Sequence, residues 1–581
     1  MTCITPVDRK LWCIWLLALP AALTAWFIHS YGVGLLINDS WDLAPTFIAW
    51  HQRGPQWHEV FQFHTEHRIA LPRLLFFALA ETVGWNARAE MWLGWGFAVA
   101  TAVLLARHFV QARLEWPVKA ALVLGATATV FNWSQWQNWL WGFQMSWFML
   151  VAMLAGGAGL AASIGCNSVG RVVALVALCA AATVTLANGV LFWPILGAVA
   201  VWSARQHGRL HGWRTSLAMA LSGACAIALF LHGYQRAPNQ IGFIAIIEAP
   251  ADVARFFFSL IGLSLTAPMF AIGGTWSTPH WVAVAAGVVL CMLLGGALFW
   301  QLRTRTWREP LNLLAWQFAG FGLVSALLIT IGRLRLGSDF AFESRYVTFT
   351  QTVIWALLFM AASIATVGDG PNRWLPAVAL STICVFFFAL GCHEHTPFAR
   401  SLRMVHGRHH ALMHLREALP VPAELSLIAR QPDISRWSNT VDALEFHRLF
   451  RASEIKESVL PAACVLKPPS GLVLGHVDGL EATEAKVVLR GWARLADQPL
   501  PADIVVAAAH TAGGDYRLLT VSRAERTIRP DVVTTTKQDG LLLSGWTIEL
   551  LPDTNTPASS IVVLSFMADT REFFLLSPPR P

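Results

Sequence analysis

The chain has 581 residues, of which 55% are hydrophobic and only 13% are charged. Soluble globular proteins carry about 25% charged residues, so the composition excludes an ordinary soluble protein and indicates a large lipid-facing surface. The formal charge of +7 does not indicate a nucleic-acid partner, because Arg and Lys are scattered through short loops between apolar segments, where they set membrane orientation.

Apolar segments occupy most of the first 392 residues. A membrane-spanning helix needs about 20 mostly apolar residues. Thirteen segments approach that length: 11–29, 69–85, 91–107, 117–132, 142–163, 171–187, 189–203, 215–233, 254–273, 281–300, 310–332, 347–367 and 374–392. Segment 69–85 contains Pro72, Arg73 and Glu81 and is interpreted as interfacial or re-entrant, the alternative being that the charge rule fails locally. Segment 254–273 is also uncertain as a span. The sequence therefore predicts an α-helical polytopic membrane domain, residues 1–392, with 11–13 membrane helices.

Basic residues in the short loops predict the orientation of these helices. Arg and Lys cluster at residues 9–10, 107–119, 205–214 and 303–308, and such clusters face the cytoplasm. This assignment makes the chain a multi-pass protein of a bacterial inner membrane with a cytoplasmic N-terminus. Loops 30–68, 133–141, 185–189 and 333–346, and everything after residue 392, are then periplasmic.

The composition changes after residue 392. Residues 393–463 are polar with helical periodicity, which predicts a periplasmic helical linker. Residues 464–581 contain short runs with β-branched residues, bounded by Gly, Pro and Asp, which predict an all-β sandwich domain on the periplasmic side. The runs are 472–477, 486–494, 504–510, 516–521, 541–550, 561–566 and 573–576. Two of them carry the same Gly-Trp pair, Gly491-Trp492 and Gly545-Trp546, which indicates a weak internal repeat.

Two carboxylates follow the first helix. Asp39 and Asp42 lie three residues apart, so they can point the same way and either accept a proton from a hydroxyl or hold a divalent cation. The alternative is a helix cap followed by a solvated loop, since Asp is favoured there in any case. The sequence establishes no cofactor, and a divalent cation on Asp39 and Asp42 stays open.

A second polar group stands directly ahead of the apolar segment that begins at residue 69. His64, Glu66, His67 and Arg68 lie where a charged group is costly unless it is used or paired. Arg68 is a candidate for binding phosphate. The spacing of the two histidines permits a metal site but lacks a third ligand. The alternative is snorkelling of these side chains to the interface.

The loop at residues 333–346 places arginines on the predicted outer face, against the positive-inside tendency. Arg333 and Arg345, with Tyr346, are therefore candidates for binding an anionic headgroup, because the guanidinium fork chelates phosphate oxygens. The alternative is simple pairing with Glu343 or Asp339.

Residues 132–144 alternate amides with indoles. Trp133, Gln137 and Asn138 are candidates for contacting a sugar or an acceptor, because amides bond hydroxyls and indole faces stack on sugar rings. The alternative is an interfacial aromatic belt.

The order of these features resembles the GT-C superfamily of polytopic glycosyltransferases, which includes the protein O-mannosyltransferases and the lipid A aminoarabinose transferases. The Ser344-Arg345-Tyr346 motif is similar to one in bacterial surface-glycan members. The other residues that carry the resemblance are Asp39, Asp42 and Gly54, then His67, Arg68 and Leu71-Pro72-Arg73, then Trp85-Asn86-Ala87-Arg88.

This resemblance implies inverting transfer of a sugar from a polyprenyl-phosphate donor to a glycan, lipid or protein acceptor at the periplasmic face. Asp39 would be the general base, and Asp42 would assist it or bind a cation. Arg68, Arg333 and Arg345 would stabilise charge on the departing lipid phosphate. Two other functions remain open: a lipid-linked glycan transporter or flippase, and a non-catalytic scaffold for glycan assembly.

Overall fold

The computed structural model describes residues 6–164, 169–235, 245–270, 279–368, 370–419, 434–450, 455–483, 486–551 and 556–577. The chain forms two compact units that alternate along the sequence. The helical unit comprises Met1–His29, Pro55–Ala78 and Ala89–Phe398, and the mixed unit comprises Ser30–Gly54, Leu79–Arg88 and Ala399–Pro581. The domain boundaries expected at residues 392 and 463 stay predictions.

Each of the thirteen apolar segments forms a helix over most of its described length. Continuous apolar sequence favours this outcome, because a helix satisfies its own backbone hydrogen bonds where water is absent. In chain order the helices are Pro6–Tyr31, Ala70–Val83, Ala87–Gln111, Trp116–Val130, Met145–Ala162, Val169–Thr183, Phe192–Arg205, Arg209–Leu231, Pro250–Thr266, Trp281–Thr304, Pro310–Arg333, Thr352–Val367 and Leu375–Leu415.

Within the described ranges, nine helices are long and apolar enough to cross a membrane, which is the architecture of a multi-pass membrane protein. Three of the other four helices are shorter: Ala70–Val83 has 14 residues, and Trp116–Val130 and Val169–Thr183 have 15 each. Helices of that length measure about 22 Å, less than a hydrocarbon core of about 30 Å. The fourth is Pro6–Tyr31, with 26 residues. The total of 11–13 spans stays a prediction.

Two glycines bring a pair of helices in the helical unit into backbone contact. A methyl group on Gly262 would lie 1.8 Å from the carbonyl oxygen of Ala283, and one on Gly287 would lie 1.9 Å from that of Phe258. Helices Pro250–Thr266 and Trp281–Thr304 therefore pack through small residues, as membrane helices commonly do.

The segment Ser344–Val367 lies at the centre of the helical unit. Its apolar window is 94% buried, the largest share among the nine. The indole of Trp355 donates to the Thr129 hydroxyl at 2.8 Å, which fixes the helix against a neighbour. The loop that precedes this helix therefore rests on a firmly packed element.

The last apolar segment continues well beyond residue 392. Helix Leu375–Leu415 has 41 residues and includes Pro397, so the expected end of the span at 392 is not the end of the helix. The sequence after residue 392 is polar but keeps helical periodicity, and the helix continues through Pro397 although a proline there removes one main-chain hydrogen bond and crowds the preceding turn. Two further described helices in the mixed unit are Ala44–Arg53 and Ile434–Phe446.

The C-terminal region is β-rich and contains two sheets. The six-stranded sheet has the order Val459–Leu460, Tyr516–Val521, Ile504–His510, Ile561–Met567, Glu572–Leu575 and Val465–Leu466. The three-stranded sheet has the order Gly475–Ala482, Val487–Ala493 and Gly545–Leu550. The two-residue strands and helix Pro530–Thr536 were not expected from the sequence, and the sandwich arrangement stays a prediction.

The repeated Gly-Trp pairs lie opposite each other in the three-stranded sheet. Gly491 pairs with Trp546, and Trp492 pairs with Gly545. A methyl group on Gly491 would lie 2.6 Å from the fully buried Trp546 ring and 2.1 Å from the His476 carbonyl oxygen. Glycine at this position therefore makes room for the indole of the facing strand.

Candidate functional site

A small hairpin in the helical unit presents the polar residues that precede helix Ala70–Val83. Phe63–His64 pairs antiparallel with His67–Arg68, and Thr65 takes a φ of +53° in the turn. A two-residue turn of this kind holds its side chains at the tip. Glu66 therefore stands at the tip of the hairpin beside His67.

Glu66 pairs with an arginine from a distant part of the sequence. Its carboxylate accepts a short hydrogen bond from the Arg333 guanidinium. Burial alone would raise the pKa of Glu66, but the His67 imidazole and the Arg333 charge hold that pKa below its usual value. The structure thus brings the hairpin at residues 63–68 into contact with the loop that begins at residue 333.

The tautomer of His67 is set by the backbone. Its Nδ1 accepts a hydrogen bond of 3.2 Å from the main-chain N–H of Ala187. Burial is the main cause that lowers the pKa of His67; Glu66 opposes it and Arg333 adds to it. The ring is therefore neutral at pH 7 and carries its proton on Nε2, which lies 3.7 Å from Glu66 Oε1.

Arg345 has a different environment from Arg333. Its side chain is 22% exposed, and its nearest carboxylate oxygen, on Glu343, is 4.0 Å away. That oxygen also accepts a hydrogen bond of 2.6 Å from Gln137. Among the described residues, no hydrogen bond from the Arg345 guanidinium is present, so this cation is available to an anion from outside.

The amide residues of the 132–144 segment position the Arg345 loop. Gln137 Oε1 accepts the main-chain N–H of Arg345 at 3.0 Å, and the main-chain N–H of Gln137 donates to the Ser344 hydroxyl at 3.1 Å. Asn138 Nδ2 donates to the Arg345 carbonyl at 2.9 Å and to the Thr348 hydroxyl at 2.6 Å. These amides act on the protein itself, and their expected role as sugar contacts stays a prediction.

Tyr346 is buried beside the two arginines. It is 3% exposed, and its ring lies 5.4 Å from the Arg345 guanidinium carbon. Its hydroxyl is near Arg333, but no contact to it within the described part of the chain has hydrogen-bond geometry. Tyr346 is therefore an enclosed member of this polar cluster, next to the guanidinium of Arg333.

Arg68 and Arg73 both donate to main-chain carbonyls. Arg68 donates to the carbonyls of Phe61, Phe230 and His232 and lies 4.0 Å from the Phe63 ring centre. Arg73, which is 1% exposed, donates to three carbonyls of the 59–62 turn. With its donors engaged in this way, Arg68 is a weaker candidate for phosphate than Arg345.

Trp133 lies inside the helical unit. It is 3% exposed, its indole N–H donates to the Thr24 hydroxyl at 3.2 Å, and its ring packs 4.3 Å from that of Phe27. Trp141 is also buried. The expected belt of tryptophans at the membrane surface therefore does not include these two, because neighbouring aromatic side chains cover them.

Asp39 and Asp42 belong to the mixed unit. They lie on the 3₁₀-helix Asn38–Leu43, where residues three apart share one face. Asp39 is half-buried and Asp42 is exposed. Neither caps this helix, because its N-cap residue is Ile37. The remaining predicted polar residues, His64, Glu66, His67, Arg68, Arg333, Arg345 and Tyr346, belong to the helical unit.

A cluster of three acidic side chains in the mixed unit is already paired with an arginine. Glu417, Asp442 and Glu445 have oxygens close enough to hold a cation. Arg416, however, donates to Asp442 at 2.8 Å and to Glu445 at 2.9 Å. This group is therefore a structural ion-pair network, and sequence reasoning did not single it out.

No protein family, curated protein or solved structure matches the chain. Function must therefore be argued from the site itself. One paired guanidinium, one available guanidinium, a neutral imidazole and a buried hydroxyl lie together in the helical unit. Such a set is suited to binding the oxygens of a phosphate.

Proposed function

We propose that the protein transfers a sugar from a polyprenyl-phosphate donor to a glycan, lipid or protein acceptor at the periplasmic face of a bacterial inner membrane, with inversion at the anomeric carbon. The phosphate of the donor binds Arg345, with Arg333 and Tyr346 alongside it. The fold is of the GT-C type, and the C-terminal sheets form a periplasmic sandwich.

The Arg345 guanidinium is the observation that carries this proposal. The Arg345 side chain is 22% exposed and its guanidinium has no hydrogen bond among the described residues, with only the Glu343 carboxylate 4.0 Å away, so an anionic ligand can reach it and bond to its free N–H groups. The nine membrane-capable helices supply the lipid setting in which a phosphate on a lipid is the expected ligand. Sugar transfer from such a donor also needs no nucleotide sugar outside the cell.

In this reaction the bond from the anomeric carbon to the phosphate oxygen breaks, and its electron pair stays on the phosphate. The acceptor oxygen bonds to the same carbon from the opposite side, and its proton passes to a base. The sequence assigns that base to Asp39. Arginines beside the phosphate stabilise the negative charge as it develops, which lowers the barrier.

The test is a mass-resolved comparison of surface glycans, lipids and secreted proteins from cells with and without the gene. Loss of one sugar from one acceptor is expected, and purified protein should then transfer that sugar from its polyprenyl phosphate. Movement of the intact lipid across vesicles without transfer would instead establish the flippase. An unchanged glycan profile together with no transfer in vitro would reject the enzyme.

A further inference from the structure

A hydrogen bond from the main chain holds His67 in a single neutral tautomer. The Ala187 N–H donates to Nδ1 at 3.2 Å, so Nδ1 cannot carry the proton. The proton is then on Nε2. A backbone donor of this kind acts as the orienting partner that carboxylates provide for histidines elsewhere.

The Nε2–H of His67 has no acceptor at hydrogen-bond distance among the described residues. The nearest carboxylate oxygen, on Glu66, lies 3.7 Å away, which is too long for a hydrogen bond. That carboxylate is already engaged by Arg333. The imidazole therefore directs an unused donor toward the polar cluster of the helical unit.

The groups around this donor are the ones that attract an anion. His67 Nε2 lies 3.7 Å from the Glu66 carboxylate that Arg333 bonds. Arg333 lies beside Tyr346, whose ring is 5.4 Å from the Arg345 guanidinium carbon. Two donors in the cluster, the Arg345 guanidinium and the His67 Nε2–H, thus lack hydrogen bonds within the described residues. A tetrahedral phosphate offers oxygens to both at once.

We infer that His67 is a phosphate-binding residue, which donates its Nε2–H to the phosphate group that Arg345 binds. This inference rests on the proposed function. The ligand chemistry is a phosphate, whether free or carried on a lipid. Ala187 is the positioning residue, because its N–H selects the tautomer that donates.

The test measures binding of farnesyl phosphate and of inorganic phosphate to the full-length protein in lipid nanodiscs. His67→Phe should weaken farnesyl phosphate binding about tenfold, the usual effect of losing a hydrogen bond to a charged group. His67→Gln, whose amide retains a donor near the Nε2 position, should recover most of it. Tighter binding of farnesyl phosphate than of inorganic phosphate would identify the lipid-linked source.

A second variant tests the tautomer. Proline at residue 187 is compatible with the start of a 3₁₀-helix after the extended residue Leu186. It removes the N–H and places its Cδ against the His67 ring, so Nδ1 must turn away from residue 187. In Ala187→Pro, ¹⁵N spectra of labelled histidine should show Nδ1 gaining protonation, with weaker farnesyl phosphate binding. Ala187→Ser is the control and should match wild type in both measurements.

The outcomes separate this inference from the proposed function. If His67→Phe binds as wild type while Arg345→Ala loses binding, the role of His67 is wrong and the phosphate site stands. An unprotonated Nε2 in the wild-type spectrum would also overturn it. If Arg345→Ala binds as wild type, or the wild-type protein binds neither phosphate, the proposed function and this inference both fail.

Discussion

The arginines of the helical unit differ in what their guanidinium groups contact. Arg68 and Arg73 donate to main-chain carbonyls, whereas Arg333 pairs with Glu66. Arg345 alone among these four lacks a hydrogen bond from its guanidinium within the described residues. The contrast separates arginines that maintain the loop from the one that can meet a ligand.

Replacement of Arg345 tests this distinction directly. Arg345→Ala should reduce affinity for a polyprenyl-phosphate sugar by at least about tenfold, because a charge-assisted bidentate contact is lost. Binding of the labelled donor to the purified protein measures the effect. Arg335→Ala, an exposed arginine of the same loop, is the matched control and should leave affinity unchanged. Equal affinities for all three proteins would contradict the assignment.

Asp39 is the general base of the proposed reaction, a role that the resemblance to GT-C enzymes implies. Asp39→Asn should reduce sugar transfer by at least about a hundredfold, the lower end of the contribution of a general base, while membrane abundance and donor binding stay at wild-type level. Transfer to the acceptor measured by mass spectrometry decides the matter. Asp339→Asn, an exposed aspartate, is the control, and wild-type transfer by Asp39→Asn would remove Asp39 from the mechanism.

At the level of elements, a carboxylate in the mixed unit joins a β-turn to a helix. Asp569 lies 2.9 Å from Arg88, 3.4 Å from Arg403 and 3.5 Å from His410. Burial alone would raise the pKa of Asp569, but the neighbouring His410 and the charges of Arg403 and Arg88 hold that pKa well below its usual value. Its contribution to stability is therefore present above about pH 4 and is lost as the pH falls through the lowered pKa.

Asp569→Asn should lower the free energy of unfolding by about 1–3 kcal/mol, because Arg88 and His410 lose the charge of their carboxylate partner while Arg403 keeps its ion pair with Asp503. Thermal unfolding of the purified protein near neutral pH measures the loss. Glu525→Gln, which alters an exposed carboxylate, is the control and should unfold like wild type. A wild-type midpoint for Asp569→Asn would show that this network contributes nothing net.

Two glycines of the three-stranded sheet test how tightly it packs, because one has close neighbours and the other has none. Gly491→Ala should destabilise by about 1–3 kcal/mol, because the added methyl group meets the Trp546 ring and the His476 carbonyl. Gly479→Ala in the adjacent strand meets nothing within 4 Å and should be close to neutral. Unfolding midpoints of the two variants should therefore differ, and identical midpoints would contradict the packing argument.

Local pattern predicted most of the elements. Strands Ile504–His510 and Tyr516–Val521 have the bounds expected from their apolar runs, because flanking polar and glycine residues mark both ends. The strands Val459–Leu460 and Val465–Leu466 have only two residues each, and their pairing partners lie far along the chain. Periodicity cannot reveal such strands, since their stability comes from the partner.

At the level of the whole molecule, the orientation in the membrane decides whether the proposed site meets periplasmic substrates. A reporter fused after Pro581 should be active only in the periplasm, because the loops richest in Arg and Lys are expected to be cytoplasmic. A fusion after Arg305, in one of those loops, should give the opposite result. Cytoplasmic labelling of the C-terminal fusion would reverse the assignment.

The candidate site was only partly predictable from the sequence. Arginines on the expected outer face indicated Arg333 and Arg345, because such residues break the local charge rule. The pairing of Glu66 with Arg333 and the bond from Ala187 to His67 join segments 120 or more residues apart. A single sequence contains no signal for contacts of that range. The Ala187 donor is also a main-chain N–H, which every residue except proline carries, so the residue type does not reveal it.

The contact at Gly262 and Gly287 has a consequence for how a lipid could enter. A seam formed by main chain against main chain has no side-chain rotamers that could swing aside, and widening it would require the two helix axes to separate. An isoprenoid tail passing sideways from the bilayer would therefore find this seam shut. If the protein uses a lipid donor as we propose, that donor would have to enter elsewhere, between helices that contact each other through side chains.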